Sequence, residues 1–124
     1  GISPLPVQRP IPIWMGGESE PARRRAARLS DGWMPHFRPG PEAQKAVDQI
    51  HGWVKEAGRD PATFGIEGRF TLAQMSSDQW GKELAAWRAV RGVTHVCVNT
   101  MGLGFQKPED HVRALREVKE TAIG

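Results

Sequence analysis

Residues Pro10 to Trp33 read PIPIWMGGESEPARRRAARLSDGW, and the fold turns on this stretch. Ile11, Ile13, Trp14 and Met15 form a short, partly β-branched apolar run, which predicts a buried strand rather than a helix. Gly16 and Gly17 break it. Ser19 suits a helix N-cap, Pro21 a first helical turn, and Glu20 the positive end of the helix dipole. Ala22, Ala26 and Leu29 then share one helix face, with Arg23, Arg24, Arg25 and Arg28 on the other sides. Alanines on the inward face imply close approach to a sheet. Ser30-Asp31-Gly32 ends the helix, and Trp33-Met34 opens a second short strand. A strand running through two glycines into a helix N-terminus leaves backbone N–H groups converging on one spot, the physical recipe for holding a phosphate. Paired glycines also reverse a chain after any strand at no steric cost. On these residues alone both readings stand.

Outward from that block the pattern repeats with variations. Ile2 to Arg9, with Pro4 and Pro6, read as an extended lead-in. His36, Arg38, Pro39 and Gly40 make an exposed loop. Pro41 starts a second helix, in which Ala43, Ala46, Val47, Ile50, Trp53, Val54 and Ala57 recur at three- and four-residue steps, and Gly58 stops it. Phe64, Ile66, Phe70 and Leu72 alternate with Glu67, Arg69 and Thr71, which is strand periodicity with Gly68 on the apolar phase. Ser77 or Asp78 caps a third helix with Trp80, Leu84 and Trp87 inward. Val93 to Val98 form another strand, followed by the glycine-bearing loop Asn99 to Gly104. A last helix starts near Pro108 and buries Val112, Leu115, Val118 and Ala122. The order β-α-β-α-β-α-β-α predicts a parallel sheet covered by helices. A small open α/β sheet and half of an eight-unit barrel both accept it.

Composition narrows the function classes. The 124 residues, 39% hydrophobic and 25% charged, suit one globular domain spanning 1–124. No apolar run reaches membrane-span length and no signal pattern opens the chain, so no membrane partner is expected. The single cysteine, Cys97, allows no internal disulfide and points to a reducing cytoplasmic setting. The net charge of +3 owes much to the arginines of the first helix, read as a solvated face rather than a nucleic-acid surface. His36, His51, His95 and His111 fall on different elements, without metal-ligand spacing. His95 on a core strand reads as a packed histidine, and Cys97, two residues on, as buried packing. His36, just past a strand end, is the better candidate for chemistry, although no catalytic residue is assigned. Trp53, Trp80 and Trp87 follow core spacing, and Trp14 and Trp33 are read as core beside strands.

Taken together, residues 10–35 (PIPIWMGG, SEPA, RRAAR, DGWMP), 56–67 (EAGRDPATFGIE) and 92–118 (GVTHVCVNTMGLGFQKPEDHVRALREV) resemble the second half of luciferase-like oxidoreductases. These are TIM-barrel enzymes that use reduced FMN or the deazaflavin coenzyme F420. The resemblance covers essentially the whole chain and runs closest to the F420-linked branch. It implies a parallel (βα)4 unit, the C-terminal half of a (β/α)8 barrel, and coenzyme F420, with FMN as the alternative. It implies that Met15, Gly16, Gly17, Glu18 and Ser19 wrap the cofactor's phosphate end, with Glu18 turned to solvent. Thr100 and Gly102, in the loop after the final strand, would approach from the same rim. The earlier strands, which supply most contacts to the isoalloxazine ring and the small-molecule substrate, have no counterpart here. The chain is therefore expected to be an incomplete oxidoreductase or monooxygenase, inactive alone, and to dimerise through its open edge and inner face. A non-catalytic self-associating half-barrel and a free-standing nucleotide-binding α/β module are the competing readings.

Overall fold

In a computed structural model describing residues 4–123, the elements follow the expected order. They are β1 (Trp14–Gly16), α1 (Glu20–Leu29), β2 (Gly32–Met34), α2 (Pro41–Glu56), β3 (Gly65–Thr71), α3 (Trp80–Ala89), β4 (His95–Asn99) and α4 (Pro108–Val118). The lead-in has no regular structure from Pro4 onward, while Ile2 and Ser3 lie outside the described residues. Every strand pair is parallel, and the order across the sheet is β1-β2-β3-β4. With right-handed crossovers, an order that never reverses puts all the helices on one face. A doubly wound sheet reverses at a switch point. Strand order thus decides what periodicity left open: this is an α/β (βα)4 wall, half of a TIM-like barrel.

Register assigns the two faces of the wall. Met15 stands level with Trp33, Trp33 with Ile66, Gly68 with Val96 and Phe70 with Val98. These residues face the helices, and Trp33, Ile66 and Phe70 are fully buried there. One core cluster joins Trp33 and Ile66 to Ala26 and Ala27 of α1, Ile50 and Val54 of α2, and Trp87. A second joins Phe70 to Trp80, Leu84, Ala114 and Val118. The alternate phase carries Trp14, Gly32 and Gly65, then the rows Glu67–His95, Arg69–Cys97 and Thr71–Asn99. Among the described residues no helix covers that face. Trp14 lies across it: a Cβ on Gly65 would fall 2.3 Å from the indole, and the ring meets His95 edge-on at 5.1 Å.

Several expectations are corrected, most of them for one physical reason. Ile11 and Ile13 are exposed and precede β1 rather than building a buried strand. Leu29 of α1 is 61% exposed, and Val112 and Leu115 of α4 are exposed too. α1 and α4 flank the two edge strands, so each has a helical neighbour on one side only. His95 and Cys97 are also exposed, because their phase of β4 is the uncovered face. The third helix begins differently as well. A 3₁₀ turn at Ser77–Gln79 precedes α3, and Ser76 is its cap, its N–H donating to Gln79 Oε1 at 3.2 Å. The arginines of α1 are not simply solvated. Arg23 and Arg24 stand 5.5 and 4.4 Å from the Trp53 ring centre, Arg23 donates to Gln49 at 2.8 Å, and Arg24 pairs with Glu20 at 2.8 Å.

His51 on α2 supplies a pH dependence. Its ring packs against Gly92, and its buried Nε2 finds no partner among the described residues. Burial holds its pKa below the ordinary histidine value, outweighing the nearby Asp48 charge that raises it. On acidification the unfolded chain therefore takes up this proton first, and stability falls as pH drops below about 6.5. Thermal unfolding at pH 8 and pH 5 should show His51→Gln losing less stability than the parent chain; an equal or larger loss contradicts this.

Candidate functional site

The C-terminal ends of the strands form one rim, the edge on which barrel sites are built. At the end of β1, Gly17 takes a φ of +104°, and a Cβ there would lie 2.8 Å from Ala22 Cβ. Only glycine fits that turn. The buried Trp33 indole pins it, Nε1 donating to Gly17 O at 2.8 Å. Ser19 caps α1 as expected, its hydroxyl accepting from Ala22 N at 3.4 Å. The N–H groups of Glu18, Ser19 and Glu20 have no intramolecular acceptor among the described residues. Pro21 has no N–H and Ala22 N is spent on Ser19, so the loop offers the donors and the helix mainly its dipole. The Met15 side chain packs against the core, leaving only its backbone for a ligand.

Glu18 is exposed as expected, but its carboxylate is tethered rather than free. Its Oε1 accepts from His36 N at 2.7 Å and stands 3.8 Å from His36 Nδ1. Loops leaving adjacent parallel strands run side by side, and the free N–H after β2 takes the nearest acceptor. On the far side of the ring, Arg69 Nη1 lies 3.0 Å from His36 Nε2. A guanidinium can only donate, so this contact requires Nε2 as acceptor, and a neutral ring then carries its proton on Nδ1, facing Glu18. Glu18, His36 and Arg69 thereby link the ends of β1, β2 and β3.

Beyond Arg69 opens a cleft of about 460 Å³, bounded by His36, Phe37 and Arg38, by Arg69, Thr71, Gln74 and Met75, by Glu83 of α3 and by Asn99 of β4. Asn99 Oδ1 accepts from Met101 N at 3.0 Å. Thr100 is turned aside, its hydroxyl 2.7 Å from His111 Nδ1, while Gly102 takes a φ of +84° beside Ala73. Strands lie about 4.8 Å apart, so Thr100 and Gly102 stand roughly 14 Å of sheet from Gly16. The structure does not bring these two groups of residues together. What it does bring together, His36 with Arg69, Thr71 and Asn99, sequence reasoning missed except for His36. The available signal was the polar phase of β3 and β4, whose last residues top the rim.

Among the described residues no three His, Cys, Asp or Glu side chains gather to hold a metal ion, and no helix is long and apolar enough to cross a membrane. The family profile described as luciferase-like monooxygenase matches residues 1–123. An uncharacterised protein of Mycobacterium bovis is 30% identical over 127 residues, which cover 98% of this chain and 41% of that protein. Uncharacterised proteins of two Mycobacterium tuberculosis strains match to the same extent. The chain therefore spans about two-fifths of the length of these curated relatives. Among solved structures, the coenzyme F420-dependent tetrahydromethanopterin reductase of Methanopyrus kandleri aligns with a TM-score of 0.43 and 22% identity, over 49% of this chain and 18% of that one.

Proposed function

This chain belongs to the luciferase-like monooxygenase family, and from that premise we propose that it supplies the phosphate-binding part of an oxidoreductase using coenzyme F420 or, alternatively, FMN. The observation that carries this reading is the turn at Gly17, directly after the strand residue Gly16, which presents the free N–H groups of Glu18, Ser19 and Glu20 at the head of α1. When bound, the reduced cofactor supplies the hydride or oxygen chemistry. The chain's own residues bind and orient. Gly17 lets the backbone approach, Ser19 holds the first turn of α1, and Trp33 keeps the loop from moving. Glu18 is held sideways on His36, so its charge opposes the phosphate less than a free carboxylate would. The loop carrying Thr100 and Gly102 is assigned to a more distant part of the same ligand or its substrate.

The test is phosphate dependence. Titrating the chain with FMN and riboflavin, followed by fluorescence, should give FMN at least about a tenfold advantage, the scale of a few charge-assisted hydrogen bonds. Glu18→Gln keeps an acceptor for His36 N and removes the like charge, so it should tighten FMN binding. Equal binding of FMN and riboflavin, or weaker FMN binding by Glu18→Gln, overturns the phosphate assignment.

The uncovered face and edges favour a second reading, a homodimer in which two walls close one barrel. Ile11 and Ile13 lie exposed beside the β1 edge, Val112 and Leu115 beside the β4 edge, and a hollow of about 360 Å³ opens over Trp14 and His95. Pairing β1 of one copy with β4 of the other, twice, covers all of them. Sedimentation should show a dimer at micromolar concentration, and a monomer contradicts this reading.

A further inference from the structure

We propose that the cleft between His36 and Asn99 binds an oxyanion of the small-molecule substrate, a carboxylate or phosphate, with Arg69 as its fixed cationic donor. The proposal rests on the reading above only for the identity of the molecule that carries the anion. Arg69 rises half-buried from the C-terminal part of β3 between two residues that face the core, Gly68 and Phe70. Its Nη1 is fixed on His36, whose backbone N–H is in turn held by Glu18. Among the described residues no carboxylate pairs with Arg69 or Arg38 within 4.0 Å, so the remaining guanidinium N–H groups are unspent. A guanidinium held in a cleft with unpaired N–H groups is suited to a charge-assisted bond with an anionic ligand.

The neighbouring groups add donors in the same place. Thr71 and Asn99 stand level on β3 and β4 and both line the cleft. Asn99 already spends its oxygen on Met101 N, which leaves the amide N–H₂ for a ligand. Arg38 brings a second guanidinium from the loop after β2. Glu83 is the opposing charge. With two arginines against one glutamate the cleft stays net positive, which favours an anion and makes Glu83 a brake on its affinity.

The experiment is an amide and guanidinium NMR titration of the full chain, with inorganic phosphate in one arm and acetate in the other, at low ionic strength. Saturable shifts of the Asn99 side-chain amide and the Arg69 Nε–H are expected, and the arm that saturates first says which oxyanion the cleft prefers. Arg69→Gln should weaken binding about tenfold or more, the scale of a charge-assisted bond. Arg38→Gln, on an exposed side chain that leaves folding intact, should weaken it less, and Glu83→Gln should strengthen it. The proposal fails if neither anion moves the Asn99 side chain, if the shifts stay confined to the amides of Glu18 to Glu20, or if Arg69→Gln and Arg38→Gln both bind like the parent. Loss of FMN binding beside an intact Asn99 response would sink the flavin reading and leave this cleft standing.

Discussion

Gly68→Val is expected to lower stability by about 3 kcal/mol, bringing the thermal midpoint down by roughly 10 °C. A Cβ at Gly68 would lie 2.6 Å from Trp87 Cδ2, with two further ring atoms inside 3.0 Å. Trp87 cannot withdraw. It is 1% exposed within the first core cluster, and its Nε1 donates to Arg69 O at 3.2 Å. Valine favours strands over glycine by about 1 kcal/mol, so the two effects oppose. Overpacking costs more, because the ring is backed by other buried side chains rather than by solvent. Gly81→Ala, where a Cβ would meet nothing within 4 Å, is the control. A midpoint for Gly68→Val at or above that of the parent would show that Trp87 has room to move.

Gly17→Val is expected to lose stability and FMN binding together. A β-branched residue at a φ of +104° is strained by about 1–3 kcal/mol. Its Cβ also meets Ala22 at 2.8 Å, and moving the turn breaks the Trp33 bond to Gly17 O, leaving a buried indole N–H unpaired. The double loss is why this variant alone cannot separate a ligand contact from a folding requirement. Gly16→Ala can. A Cβ there would meet only Met34 O, at an ordinary 3.8 Å, so the fold should hold. Thermal melts and FMN titration of both variants decide the matter: wild-type FMN affinity in Gly17→Val removes the turn from the site.

Two helix starts and one strand phase were legible from local residues. Ser19 caps α1, Pro41 begins α2, and the alternation of β3 runs from Gly65 to Thr71, because caps, first turns and strand phases are settled by residues a few positions apart. The same locality gave the glycine turn and the order of elements. Ser76 escaped because three neighbouring polar residues could each cap the third helix, and a 3₁₀ turn chose among them.

The amino-acid sequence alone determined a parallel βα chain, its helix ends, its family likeness and a turn able to present free N–H groups. Only the tertiary structure decided which phase of each strand is covered. A β-branched pattern marks His95 and Cys97 as strand residues, but burial depends on which face the crossovers clothe, and here theirs is left bare. The tertiary structure alone also joined Glu18, His36 and Arg69, 18 and 33 residues apart. Such contacts follow from strands lying side by side, a long-range property that no local spacing encodes.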